Sequence, residues 1–317
     1  MLHLRVSVPA ALAEPVLSSL ADDPTVAGLA VLRGASVRPA GDLVLVDVPR
    51  EAVNGVVDRL LALGVHHDGS VQIEAVEAWA SQAGLVAEQR APGAGADSVV
   101  WTEVTHRAYD ESELNWTYLS FMVLATVIAG IAIVLDSQVL VIGAMVLGPE
   151  FGAVAALGLG VVRRRFGLLR RAASTLAIGF VVAIVATGLL TLVAHAVGLV
   201  GAEDVTRPRP GTAFVYTPDE WSLIVAVVAG AAGVLSLTSS RVGGLAGVFI
   251  SVTTIPAAGN VALALALGVW DEVWGSSVQL LVNLAGMTAA GALTLLVQQA
   301  VWRRVDRRRA SEHRVAV

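Results

Sequence analysis

The chain has 317 residues, of which 56% are apolar and 15% charged, with no cysteine and a formal net charge of −5. A charged share so far below the roughly 25% of ordinary soluble domains excludes a purely soluble protein, and the lack of cysteine excludes disulfide frameworks, thiolate zinc sites and cysteine nucleophiles. The net charge averages an acidic soluble part with an arginine-rich remainder, so it identifies no partner.

Residues 3–9 alternate as a strand does, and residues 10–23 carry Leu12, Val16, Leu17 and Leu20 at helical spacing until Asp22, Asp23 and Pro24 stop the run. Arg5 and Glu14 interrupt this stretch, so it lacks the continuous apolar core of a signal peptide, and the N-terminus is expected to stay in the cytoplasm. Residues 27–38 and 42–48 read as a hairpin around Pro39, Ala40 and Gly41. Val53, Val56, Val57, Leu60 and Leu61 then form a helical stripe closed by Gly64, and residues 71–76 alternate again. The order βαββαβ predicts an α+β ferredoxin-like domain over residues 1–90, a four-stranded antiparallel sheet with both helices on one face. Such domains serve small-ligand sensing or subunit pairing. His66 and His67 have no further ligand at a metal spacing, so neither a metal site nor a cofactor is expected. The small, breaker-rich residues 91–97 open a linker and lead-in helix that extend to residue 115.

Beyond Asn115 the charges gather into short clusters between apolar runs long enough to cross a hydrocarbon core of about 30 Å. Six spans follow, at 117–135, 138–162, 172–200, 221–239, 242–270 and 276–302, making residues 116–302 an α-helical polytopic membrane domain. With the N-terminus inside, Arg163, Arg164, Arg165, Arg170, Arg171, Arg241 and the basic tail 303–317 all fall on the cytoplasmic side, and only Arg207 and Arg209 fall outside. This predicts a multi-pass protein of the inner membrane with both termini cytoplasmic. The tail reads as an orientation and lipid-headgroup anchor, with no nucleic-acid partner.

Ser137, Val139, Gly130, Gly188 and Thr191 recur as Ser240, Val242, Gly233, Gly291 and Thr294, all at a separation of 103 (240 minus 137). Pro149 and Gly152 recur as Pro256 and Gly259 at a separation of 107 (256 minus 149), as a four-residue insertion in the second copy explains. Two units of three spans each must lie in opposite orientations, the inverted-repeat pattern of many transporters and of some channels.

The stretch ESELNWTYLSFMVLATVIAGIAIVLDSQVLVIGAMVLGPEFGAVAALGLGV at 111–161 resembles the hallmark of the DUF389 family of membrane proteins, and IPAAGNVALALALGV at 255–269 resembles its second motif. The resemblance implies the membrane architecture and leaves the activity open. Glu150 departs from it, since family members often carry an apolar residue after that proline.

Pro149 and Pro256 stand at matching places in the middle spans, where each removes a backbone hydrogen bond and predicts a break. A half-helix starting at Pro149 places Glu150 and Gly152 in its first turn, where the helix dipole favours an ionised carboxylate. Glu150 is the acidic side chain set well inside a span, so it is expected in a bundle interior or wet cavity. The opposite break offers Thr253, Thr254 and Asn260, and Asn283 and Gln279 lie in the last span. These residues point to a path for a small ion or solute, with a cation or proton-coupled species favoured. Gly275, Ser276, Ser277 and His195 lack the glycine–serine–glycine elbow and orienting acid of a serine hydrolase, so no enzyme is expected. The expectation is a homo-oligomeric transporter or channel in the lipid bilayer. The alternative is a membrane-anchored sensor whose N-terminal domain binds a small ligand.

Overall fold

Leu2, Leu4, Val6 and Val8 alternate with more exposed residues along β1 (Leu2–Pro9), so one face of the strand is apolar and must be covered. The structure, a computed structural model, describes residues 1–91, 98–215, 220–238 and 254–315. The chain divides into two compact units, residues 1–104 with 301–317, and residues 105–300.

In the first unit β1 is followed by α1 (Ala10–Ala21), β2 (Gly28–Val37), β3 (Ala40–Val48), α2 (Val53–Ala62), the short turn α3 (Val65–Asp68), β4 (Ser70–Ala75) and α4 (Gln82–Arg90). All pairings are antiparallel and the strand order is β2-β3-β1-β4, with Leu4 opposite Val46 on one side and Ile73 on the other. Val16 and Leu20 of α1 join Val53, Val56, Val57 and Leu60 of α2 over Leu4, Val6, Val44 and Val46, so both helices cover one face of the sheet. The βαββαβ order expected from the sequence is therefore present. Gly64 closes α2 at φ +80°, a left-handed position that glycine adopts without a Cβ clash. His66 and His67 lie exposed in the turn that follows.

Residues after the linker dock on this unit. Asn54 donates to the Val99 carbonyl at 2.7 Å and accepts from the Trp101 amide at 3.1 Å, while Arg50 donates to the Ser98 carbonyl and pairs with Glu103 at 3.0 Å. Val100 thereby joins the apolar core, and α5 (Trp101–Glu111) begins with its first amide capped by a side chain. Linker residues 92–97 lie outside the described set.

The second unit contains α6 (Trp116–Val134), α7 (Gln138–Leu147), α8 (Glu150–Val162), α9 (Phe166–Ala196), α10 (Ala202–Thr206), α11 (Glu220–Thr238), α12 (Thr254–Leu267) and α13, which begins at Trp270 and runs to Val315. Asn115 and Ser137 cap α6 and α7 by accepting from the amides of Tyr118 and Leu140. Among the described residues α6, α9, α11 and the Trp270–Trp302 part of α13 are each long and apolar enough to cross a membrane. Helices α7 and α8 together make a fifth such segment, bent by 58° at Gly148 and Pro149. Within the expected fifth span, Thr254–Leu267 form α12; residues 242–253, which include Thr253, and the preceding Arg241 lie outside the described residues.

Small residues let these helices approach closely. A side chain at Gly259 of α12 would meet Ala129 Cβ at 2.9 Å, and one at Gly158 of α8 would meet the Ala292 amide of α13 at 3.2 Å. The interior is accordingly alanine-rich, with Ala125, Ala129, Ala144, Ala153, Ala183, Ala257 and Ala258 packed around Met122, Ile255 and Met287. Val181, Val185, Leu189 and Val193 of α9 face outward, a surface suited to acyl chains and costly in water. This unit is that of a membrane protein.

Candidate functional site

Gly148 is extended, as a residue before proline prefers, and Pro149 lacks the amide that would continue α7, so the chain turns and restarts as α8. Glu150 occupies the first turn of α8 and is 1% exposed. Its Oε1 accepts a 2.6 Å hydrogen bond from Thr254 Oγ1 at the start of α12. The fully buried Thr254 and the buried carboxylate thus meet at the N-terminus of α8, a setting that stabilises negative charge. The buried Tyr118 hydroxyl, near enough to feel the Glu150 charge, has no hydrogen-bond partner among the described residues. Gly152, two residues on and so turned away from the Glu150 side, is overlaid by the Glu111 side chain, whose Cβ lies 2.5 Å from where a Gly152 Cβ would be. Pro256 falls in the first turn of α12, where a missing amide costs nothing.

Asn260 does not join Glu150. Its Nδ2 donates to Ser276 Oγ and to Glu272 Oε2, both at 2.7 Å on α13, and its Oδ1 accepts from Arg209 Nη1 at 3.1 Å. Arg209 also pairs with Glu272 at 3.0 Å and is 1% exposed. Burying a guanidinium this completely is tolerable only with a carboxylate and further acceptors around it. The loop that delivers it is strapped on both sides: Arg207 donates to the Val134 carbonyl, and Asp136 accepts from the Gly211 amide and from Thr212 Oγ1 at 2.9 Å. Arg209 was countable in the sequence only as one of two arginines on the outer side; the rigid Arg207-Pro208-Arg209-Pro210 run was the available signal, and it did not disclose the partner. Asp136, just beyond the end of α6, serves as a strap for this loop.

Along α13, Glu272, Ser276, Gln279 and Asn283 follow at helical spacing and form one buried stripe, the last three with no exposure. Gln279 and Asn283 have no hydrogen-bond partner for any of their four amide atoms among the described residues. Helices α12 and α13 are joined through Gly268, at φ +75°, and Val269, and so run antiparallel side by side. Six residues from Asn260 back to Thr254 therefore match six residues from Ser276 onward along α13, about 9 Å in each case. By helical rise alone, Asn283 lies about as far along α13 from Ser276 as Thr254, the Glu150 partner, lies along α12 from Asn260. The Ser276 hydroxyl accepts from an amide, and His195 bonds to the Val200 carbonyl at 2.8 Å, so these two former nucleophile candidates are engaged separately.

An apolar cavity of about 560 Å³ lies elsewhere, lined by Val127, Gly130, Ile131, Thr187, Leu190 and Leu263 among others. It touches none of the polar stripe.

Comparison with known proteins places this site in context. An uncharacterised protein of Methanocaldococcus jannaschii is 24% identical over 188 residues, covering 59% of this chain and 56% of that protein's length. No solved structure matches. The family model of a domain of unknown function, DUF389, matches residues 145–289, a span that holds Glu150, Thr254, Asn260, Gln279 and Asn283.

Proposed function

We propose that this protein moves a small ion or solute across the membrane, with a cation or a proton-coupled species favoured, along the polar stripe of α13 between the Arg209–Glu272 cluster and Glu150. The observation that carries this reading is the file of fully buried Ser276, Gln279 and Asn283 crossing an apolar bundle, with ionisable groups at both ends. Neutral amides in membrane helices ordinarily bridge neighbouring helices by hydrogen bonds, and Gln279 and Asn283 make none among the described residues, which supports a hydrated path over packing.

The reading includes six spans arranged as two inverted repeats of three, in an inner-membrane homo-oligomer with both termini cytoplasmic, and an N-terminal domain of ferredoxin-like type. Close approaches support the repeat. In one, the position of a Gly188 Cβ lies 3.5 Å from the Ala262 carbonyl, joining α9 to α12; in the other, Gly291 of α13 lies against Gly158 of α8. Gly188 and Gly291 are the repeat-related pair at a separation of 103 (291 minus 188). Each repeat thus receives the middle-span half-helix of the other, as transporter inverted repeats do.

The test is flux through purified protein in liposomes, screening protons, monovalent cations and small anions, with Glu150→Gln beside wild type. The glutamine keeps an acceptor for Thr254 and removes the charge, so flux falls while the fold holds. No movement of any species in any gradient sinks transport; undiminished flux in the variant makes Glu150 structural.

The sensor reading has one observation in its favour. A cavity of about 200 Å³ in the N-terminal unit is lined by Met1, Ala27, Asp47, Val76, Trp79 and Ser81, among others. A small ligand that raises the melting temperature of residues 1–104, combined with no flux through the whole chain, would favour it.

A further inference from the structure

We propose that Gln279 and Asn283 hold a short file of water between Glu150 and the Asn260–Glu272 cluster, and that the ion this path carries is the proton. The inference rests on the transport reading and names its cargo.

The first step concerns what satisfies these amides. Each carboxamide has a carbonyl that accepts and an NH2 that donates, and all four atoms are buried without partners among the described residues. A bare metal cation satisfies oxygens and leaves both NH2 groups unmatched. Water both donates and accepts, so it answers every atom, and buried polar groups in this state are ordinarily met by ordered water. Gln279 and Asn283 stand one turn apart on the same face, a rise of about 6 Å, which is the length of two hydrogen-bonded waters.

The second step is continuity. Ser276 Oγ, 2.7 Å from Asn260 Nδ2, begins the file beside Glu272, and at the other end Thr254, 2.6 Å from Glu150, lies by helical rise about as far along α12 from Asn260 as Asn283 lies along α13 from Ser276. The Glu150 carboxyl can take up a proton and give it up again, while Glu272 stays paired with Arg209 and offers hydrogen-bond acceptors at the other end of the file. A proton taken by Glu150 from the file and released on the far side makes and breaks O–H bonds only, and no electron moves. Arg209 is paired to Glu272 and faces the cluster, so the fixed charge at that end is balanced.

The third step is asymmetry. At the repeat separation of 103, Gln279 and Asn283 correspond to Leu176 and Phe180 of α9, and both of these are part of the main apolar core. Glu150 and Asn260 correspond, at 107, to Ala257 and Ala153, which lie in the same core. The amide pair of α13 thus has apolar counterparts in α9, whose buried polar residues are the threonines Thr175, Thr187 and Thr191.

The experiment uses the whole protein in liposomes with an internal pH dye, a potassium gradient and valinomycin to drive proton uptake, and sodium tracer in parallel. Gln279→Leu and Asn283→Leu install side chains of similar size that exclude water; Gln279→Ala and Asn283→Ala remove the same amides and leave room for it. Wild type is expected to take up protons, the leucine variants to lose at least about tenfold in rate, the scale of one lost hydrogen bond in a buried file, and the alanine variants to retain most of it. Melting temperatures of the leucine variants are expected to hold, since the amide and its waters are replaced together by an apolar group of similar shape. Should a leucine variant fail to fold, Gln279→Met provides the same exclusion with an adaptable side chain. Equal loss in alanine and leucine variants overturns the water file, because the amides would then be direct ligands. Sodium or anion flux without proton uptake overturns the proton assignment and leaves transport standing; no flux of any kind removes both.

Discussion

The Thr254 hydroxyl donates a 2.6 Å hydrogen bond to Glu150 across 104 residues of chain, joining the start of α12 to the start of α8. The bond ties the first residue of α8, next to Pro149, to a residue of α12 two positions before Pro256, and it is the charged residue of the pair that is held. Removing the donor should be felt in stability as well as in flux. Thr254→Val keeps the shape and leaves Oε1 without this donor, at a cost of about 1 to 3 kcal/mol. The measurement is the melting temperature in detergent. An unchanged value would mean that this bond contributes nothing.

Arg209 and Glu272 should couple strongly. Truncating one partner of a buried ion pair costs about 3 to 5 kcal/mol because the other charge stays buried. Arg209→Ala and Glu272→Gln are each expected to destabilise, and the double variant to recover part of the loss. A double-mutant cycle reads this directly, and additive effects would show the pair to be independent.

Asp136 holds the strap that positions Arg209. Asp136→Ala removes the acceptor of the Gly211 amide and of Thr212 Oγ1, so the 207–213 loop should exchange its amide hydrogens faster while the exchange of α6 and α9 is unaltered. Unchanged exchange at Gly211 would show that Arg209 anchors the loop alone.

The N-terminal unit should lose stability in acid. Burial pushes Asp23 upward, but hydrogen bonds from the Thr25 amide and hydroxyl and the nearby Arg59 outweigh it and hold the carboxyl below its ordinary value. The Gly34 amide and Arg33 do the same for Asp42. A lowered carboxylate stabilises the folded state above the unfolded value of about 3.9 and stops doing so as pH falls through the folded value. Chemical denaturation of residues 1–104 should therefore show midpoints that are flat near neutrality and decline below about pH 4. Asp23→Asn should flatten that decline, and an unaltered slope would exclude Asp23 as a contributor.

Asn54 is expected to hold the docked segment after the linker. Asn54→Ala loses the bonds to the Val99 carbonyl and the Trp101 amide and should cost about 1 to 3 kcal/mol, with protease cleavage rising around residues 98–101. Cleavage confined to the linker as in wild type would mean that Arg50 suffices.

Much of this was readable from local chemistry. Alternation in Leu2, Leu4, Val6 and Val8 announced a half-buried strand because a strand's side chains point alternately to its two faces, and Pro149 announced the break because a proline has no amide to continue a helix. Glu150 stood out because a carboxylate is costly in an apolar run. Asn260 was grouped with Thr254 at the break opposite Glu150, yet its bonds go to Arg209, Glu272 and Ser276, six residues further along the helix than the Thr254–Glu150 bond. Nothing local distinguishes an asparagine that faces one cluster from one that faces another.

What the sequence by itself determined were the apolar lengths, the break at Pro149, the strand and helix order of the N-terminal unit, and the charge asymmetry of the loops, because each depends on residues within a turn or a strand of one another. Only the tertiary structure decided that Arg209 leaves its loop to be buried beside Glu272, that Thr254 donates to Glu150, and that Gln279 and Asn283 are buried on one face of α13 with no hydrogen-bond partner among the described residues. Those relations join residues dozens of positions apart, and their energies come from excluding water around both partners at once, which no single segment of chain can do.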